Sequence, residues 1–245
     1  MNRPVEPSAE AAKAQMQSVL ERQKRANERK GPPSAAVRKE RLTRCINLLL
    51  EHKDEFIEAI QADFGTRSRD MSLFADIAAA IGPLKLARSE LEHWMKPQKR
   101  KVSPAALAVF GAKAEVRYQP KGVVGVISPW NFPVQLAMDA IAGAFAAGNS
   151  VMLKPSEFTP ATSALLAQTI DLYFDEEEIA VILGGPEVGA AFSSLPFDHL
   201  IFTGATSVGR HVMRAAAENL VPVTLELGGK SPVIVSDTAD IAKTA

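Results

Sequence analysis

Two residues have the type and setting to act on a carbonyl group: Asn131, in the run PWNFP (129–133), and Glu226, in the run LELGG (225–229). Asn131 follows an apolar stretch and precedes a helical pattern. Its side chain either caps that helix or donates to the oxygen of a carbonyl under attack, a task that suits an amide because it stabilises developing charge without titrating. Glu226 sits at the end of an apolar stretch. Its neighbours Leu225 and Leu227 are expected to desolvate the carboxylate and raise its pKa toward that of a useful general base. The single cysteine, Cys45, lies in the apolar stripe of a helical pattern, where thiols are inert core residues. His52, His93, His199 and His211 are scattered, without metal-ligand spacing.

A second group suits a nucleotide. Lys154 and Glu157 fall just past a strand and before a helix capped by Thr159 and entered at Pro160. They form either a surface ion pair of little worth or a clamp on an adenosine ribose, the carboxylate accepting from its hydroxyls. A carboxylate there repels a 2′-phosphate and so favours NAD over NADP, with Lys154 offsetting part of that repulsion. Gly204 to Gly209 joins a strand to a helix whose N-terminus attracts a pyrophosphate. The fingerprint G-x-G-x-x-G is absent from the sequence. Gly184 and Gly185 follow another strand and also permit close approach.

These residues need a frame. Apolar, β-branched runs predict strands at 123–127, 151–154, 179–183, 199–202, 222–227 and 232–235. Helices are expected at 133–147, 160–173, 186–193 and 206–219, the first stopping at Gly148-Asn149. The alternation implies an α/β fold, a Rossmann-like, mostly parallel sheet flanked by helices, with ligands at the carboxyl ends of its strands. Before it comes a helical layer: Ser34 caps one helix, a second ends at Gly65, and a third from Met71 to Met95 is expected to kink at Gly82-Pro83. Residues 1–33 read as a loosely docked N-terminal arm with little apolar stripe. Residues 97–121, rich in lysine, arginine and proline, read as a solvated connection.

PWNFP followed by LKPSE (153–157), with FTGATSVG (202–209) and LELGGKSP (225–232), resembles the aldehyde dehydrogenase superfamily. GGPE (184–187) is most similar to its class 3 and coniferyl-aldehyde dehydrogenase branch. The resemblance implies oxidation of an aldehyde, aromatic or medium-chain, to the carboxylic acid through a cysteine thioester. Asn131 is implied as the oxyanion donor and Glu226 as the base that activates water. NAD, or NADP, would be bound through Ile127, Ser128, Pro129, Trp130, Lys154, Ser156, Glu157, Gly185, Gly204, Ala205, Val208 and Leu227. The family binds its dinucleotide with a loop other than G-x-G-x-x-G, and Ala205 stands where many relatives carry a serine. Trp130 is equally compatible with plain core.

The family's cysteine follows the glutamate, so the nucleophile is expected beyond Ala245. The domains implied are 34–227 for the cofactor, with 97–121 as an excursion making a homodimer contact, and 228–245 as the start of a catalytic domain. The rival expectation is a complete, non-catalytic NAD-binding module. An enzyme passing its acyl group to coenzyme A is disfavoured by Glu226, whose water-activating role implies hydrolysis.

The bulk properties agree with a cytoplasmic enzyme. The 245 residues suffice for a sizeable core. Lysine plus arginine equals aspartate plus glutamate, 28 of each, which argues against nucleic-acid or anionic-membrane partners. No apolar run approaches the roughly 18 residues of a membrane span, and the first residues lack the apolar centre of a secretory signal.

Overall fold

The computed structural model describes residues 9–244. Helices come first: α1 (Ala9–Lys30), α2 (Ala35–Glu51), α3 (Lys53–Phe64) and α4 (Arg69–Ser72). A π-helical turn, Leu73–Ala78, then leads into α5 (Ala79–Trp94). Next are β1 (Gln98–Arg100), α6 (Ala106–Val109) and β2 (Ala114–Val116). The alternating part follows: β3 (Val123–Ile127), α7 (Gln135–Ala146), β4 (Ser150–Lys154), α8 (Pro160–Tyr173), β5 (Ile179–Val181), α9 (Pro186–Ser193), β6 (His199–Gly204), α10 (Thr206–Ala217), β7 (Val223–Leu227) and a final turn, α11 (Ile241–Thr244).

Strands β3 to β7 form one parallel sheet in the order β5–β4–β3–β6–β7. The strand order reverses between β3 and β6, the place where open α/β sheets open a crevice at their carboxyl edge. Side chains alternate across β3, so its two faces belong to two cores. Val124 and Val126 join Leu42, Leu48, Leu49, Phe56, Ile60, Leu84 and Phe145 beneath α2, α3, α5 and α7. Val123, with Met152 and Phe202, joins Met16, Leu20, Phe192, Phe197 and Val212 beneath α1, α9 and α10. The expected mostly parallel sheet covered on both faces is therefore present, with its helical layer in front. Helix α7 ends at Ala146, two residues before a left-handed Gly148, φ +87°, as its glycine signal requires.

Several local expectations are corrected. The N-terminal stretch is no loose arm from Ala12 onward: Met16, Val19 and Leu20 are buried, and Gln23 donates to the carbonyls of Val151 and Glu176. Residues 1–8 of the expected arm lie outside the described residues. Helix α7 starts at Gln135, so Asn131 is not its cap; the Asp76 carboxylate accepts from the backbone N–H groups of Val134 and Gln135 instead. Thr159 makes no side-chain cap to α8. Asp63 does so, accepting from the N–H groups of Ala161 (2.9 Å) and Thr162 (2.8 Å) and from the Thr162 hydroxyl (2.7 Å). Two carboxylates of the helical layer thus hold the N-termini of the two helices under it.

Pro83 sits inside α5 rather than breaking it, and the irregular turn falls earlier, at the π-helical Leu73–Ala78. The strand expected at 232–235 is absent: these residues have no partner strand, and Val233 and Ile234 lie exposed. Within 97–121, β1 and β2 form a separate antiparallel ribbon, with Val109 and Phe110 exposed between them.

Candidate active site

A cleft of about 600 Å³ opens at the carboxyl edge where the strand order reverses. Its walls come from the loop after β3 (Pro129, Trp130, Asn131), from α7 (Leu136, Asp139, Ala140), from the end of β6 (Ile201, Thr203, Gly204, Ala205) and from the end of β7 (Glu226, Leu227, Gly228). Asn131 and Glu226, nearly a hundred positions apart in sequence, face one cavity because β3, β6 and β7 run parallel and end together.

Asn131 and Trp130 are solvent-exposed. Two prolines deprive this loop of N–H groups, and Arg67 holds it, donating to the Asn131 carbonyl at 2.7 Å. Trp130 packs on Phe64, with ring centroids 6.2 Å apart, and so lines the cleft while one side rests on the helical layer. Glu226 is also exposed. The expected desolvation by Leu225 and Leu227 is absent, because neighbours along a strand point to the opposite face.

Ile127 ends β3, paired with Lys154 on one side and Phe202 on the other. Ser128 is buried, its N–H bonded to the Lys154 carbonyl and its hydroxyl without a partner. Ala205 occupies the cap position of α10 in an extended conformation and supplies no side-chain cap. The first N–H groups of α10 are therefore open to an outside acceptor. Val208 lies exposed on that first turn. Gly209 permits the close approach: a Cβ there would lie 2.8 Å from Leu227 Cδ2.

Lys154, Ser156, Glu157 and Gly185 do not line this cleft; they sit farther along the same edge, after β4 and β5. Lys154 is 3% exposed and its ammonium lies 2.6 Å from the Glu157 carboxylate, so the pair is not the surface contact weighed from sequence. Its stem runs beside α9, where a Cβ on Gly189 would lie 3.6 Å from Lys154 Cε. Ser156 is buried in the turn, its hydroxyl accepting from Phe158 N. Gly185 precedes Pro186 at the start of α9.

Cys45 is 1% exposed within the core of the helical layer, away from the cleft. Burial pushes its thiol up to about 12, which leaves no thiolate near neutral pH. Among the described residues, no group of three or more His, Cys, Asp and Glu side chains could hold a metal ion.

Sequence reasoning passed over Asp139. It is half-buried on the α7 wall, one carboxylate oxygen bonded by the Gln135 amide and the other without a partner, and burial raises its pKa. It is the one charge in an otherwise apolar and small-residue helix, and that isolation was the available signal. Arg67 and Asp76 gave no such signal, since they act from a distant part of the chain.

A family description, "Aldehyde dehydrogenase family", matches residues 2–245. The chain is 63% identical over 245 residues to a "Probable coniferyl aldehyde dehydrogenase" of Caulobacter vibrioides, covering all of this chain and 50% of that protein. It matches a substrate-bound AldH structure from Staphylococcus aureus with TM-score 0.85 and 36% identity, over 92% of this chain and 48% of that one. It also matches a Mycobacterium tuberculosis aldehyde dehydrogenase complexed with NAD+, with TM-score 0.75 and 31% identity, over 96% and 46% of the two chains. The chain spans about half the length of the relatives it matches. With a matched region that takes in the helical layer, the parallel sheet and the cleft alike, this chain belongs to the aldehyde dehydrogenase family.

Proposed function

We propose that this chain forms the cofactor-binding half of an NAD+-dependent aldehyde dehydrogenase. The observation that carries the reading is the single cleft shared by Asn131 and Glu226 at the switch point of the sheet. The overall reaction is R-CHO + NAD+ + H2O → R-COOH + NADH + H+. The aldehyde oxygen lies against the Asn131 amide, whose N–H groups stabilise the charge that develops as a thiolate adds to the carbonyl carbon. That thiolate comes from a cysteine outside these 245 residues, because Cys45 is buried in another core. NAD+ supplies the hydride acceptor. Glu226 then takes a proton from water as the water attacks the thioester. An exposed carboxylate in this half-chain becomes a desolvated base once the rest of the enzyme covers the cleft.

The residues present fit the dinucleotide. The uncapped N-terminus of α10 and the close packing allowed by Gly209 suit a pyrophosphate beside Gly204, Ala205 and Val208. Glu157, anchored by Lys154, takes the ribose hydroxyls at the far end, with Ser156 and Gly185 on the same edge of the sheet. Ile127, Ser128, Pro129, Trp130 and Leu227 lie at the end nearer the chemistry. This assignment favours NAD+ over NADP+ through the carboxylate of Glu157. Residues 34–227, joined by the docked α1, make up the cofactor domain, and 228–245 begin the catalytic one.

The substrate is an aromatic aldehyde of the coniferaldehyde type, a choice supported by the name of the C. vibrioides relative. The excursion of residues 97–121, with Val109 and Phe110 exposed between its two strands, serves a homodimer. A cytoplasmic location is part of this proposal; no helix among the described residues is long and apolar enough to cross a membrane.

In the full-length enzyme, Glu226→Gln should give a normal burst of NADH, from acylation, followed by slow turnover. Unimpaired steady-state turnover would refute the general-base role. The second reading, a non-catalytic NAD-binding module, draws on the burial of Cys45. The intact mass of the native protein separates the two: a value near 26.3 kDa favours the module, and roughly twice that favours the enzyme.

A further inference from the structure

We infer that Arg67 is a positioning residue for the oxyanion site, holding Asn131 through its backbone. This rests on the reading of Asn131 as the amide donor. The loop from Ser128 to Pro133 has neither helix nor strand geometry, and its two prolines cannot donate to a neighbouring backbone. A side-chain amide that must sit within a few tenths of an ångström of a developing oxyanion needs its peptide fixed by something else.

Arg67, in the turn between α3 and α4, does this with the whole of its guanidinium. Nη2 donates to the Asn131 carbonyl at 2.7 Å, and Nη1 donates to Asp76 Oδ2 at 3.2 Å. The plane lies over the Phe64 ring, 3.7 Å from its centroid, and 5.2 Å from that of Phe132. Phe64 in turn supports Trp130. The other carboxylate oxygen of Asp76, fully buried, accepts from Val134 N at 3.2 Å. One arginine and one aspartate therefore grip both ends of the turn that carries Asn131. Asp76 lies on the π-helical Leu73–Ala78 turn, a form of helix that recurs at functional sites.

Only a planar fork makes this arrangement. A lysine ammonium cannot bond both acceptors at the angles of a guanidinium and does not stack flat on Phe64. The loss falls on the orientation of Asn131 rather than on the cofactor surfaces at α10 and β4.

The test uses the full-length enzyme and the pre-steady-state rate of NADH formation. Arg67→Lys should slow this step roughly 10- to 100-fold at saturating NAD+. In an Asn131→Ala background the same substitution should have no further effect, since both act at one point. Equal slowing in both backgrounds, or no slowing in the wild type, overturns the inference while leaving Asn131 its role. If Asn131→Ala alone leaves the rate unchanged, the oxyanion reading fails and the inference falls with it. Should Arg67→Lys not fold, Asp76→Asn, which keeps the shape and removes the counter-charge, is judged by the same two outcomes.

Discussion

The Lys154 ammonium stands 2.6 Å from the Glu157 carboxylate, with the lysine side chain 4% exposed and the glutamate 29% exposed. The buried partner is thus the anchor, and the partner open to solvent is the one a ligand can meet. Burial pushes the Glu157 carboxyl up, but the hydrogen bond and charge of Lys154 outweigh it and hold the group below its ordinary range. Glu157 is therefore a carboxylate at any physiological pH.

That fixed charge should set cofactor choice. In the full-length enzyme, Glu157→Gln is expected to raise the ratio of kcat/KM for NADP+ to that for NAD+ by roughly tenfold, the effect of removing one repulsion of about 1.4 kcal/mol. An unchanged ratio would place the 2′-hydroxyl elsewhere.

Glu178 should matter to stability instead. Its carboxylate lies 2.8 Å from both Arg41 and Arg44, with Arg41 only 9% exposed. Burial raises its pKa, but the Arg44 hydrogen bond and the Arg41 charge more than reverse this, so the folded value lies below the unfolded one. Stability from this group is fully present above the unfolded glutamate value of about 4.3 and is lost as pH falls through the folded pKa. Glu178→Gln, which leaves Arg41 without its carboxylate and Arg44 with Glu40 alone, should lower the unfolding free energy by about 3 kcal/mol at neutral pH. Denaturant titrations of both proteins should converge as the pH drops below the carboxylate range.

Cys45 should be chemically silent. With the thiol buried and pushed up to about 12, iodoacetamide near pH 8 should leave the folded chain unmodified and label it fully in denaturant. Cys45→Ser should cost about 1–2 kcal/mol by burying a hydroxyl and should not reduce turnover by the full-length enzyme. Loss of turnover with normal folding would bring this thiol back as nucleophile.

What sequence made legible was local. Proline at the start and the apolar spacing placed α8 at Pro160–Tyr173, and β3 and α9 fell where their runs ended. Thr159 and Asn131 each stand just before a helix in the chain, whereas Asp63 and Asp76, which bond these helices, lie well upstream. A carboxylate in another helix leaves no mark beside the N-terminus it satisfies. The strand expected at 232–235 failed for a related reason: the pattern was present, but a strand exists only where another offers its edge. Within the site, Asn131 and Glu226 stood out by residue type and flanking pattern. The burial of Lys154 depends on the helix packed over it, and the exposure of Glu226 on the lack of cover above β7.

The grip of α1 on the acidic turn after α8 bears on how the chain is made. Arg22 pairs with Glu176, Arg29 and Lys30 pair with Glu177, and Gln23 reaches the carbonyl of Glu176, partners 147 to 154 positions later. At roughly 5–20 residues per second on the ribosome, α1 emerges on the order of ten seconds before its counterpart exists. During that interval Met16, Val19 and Leu20 have no sheet to cover. The apolar face of α1 stays open to solvent until the turn at Glu176 leaves the exit tunnel.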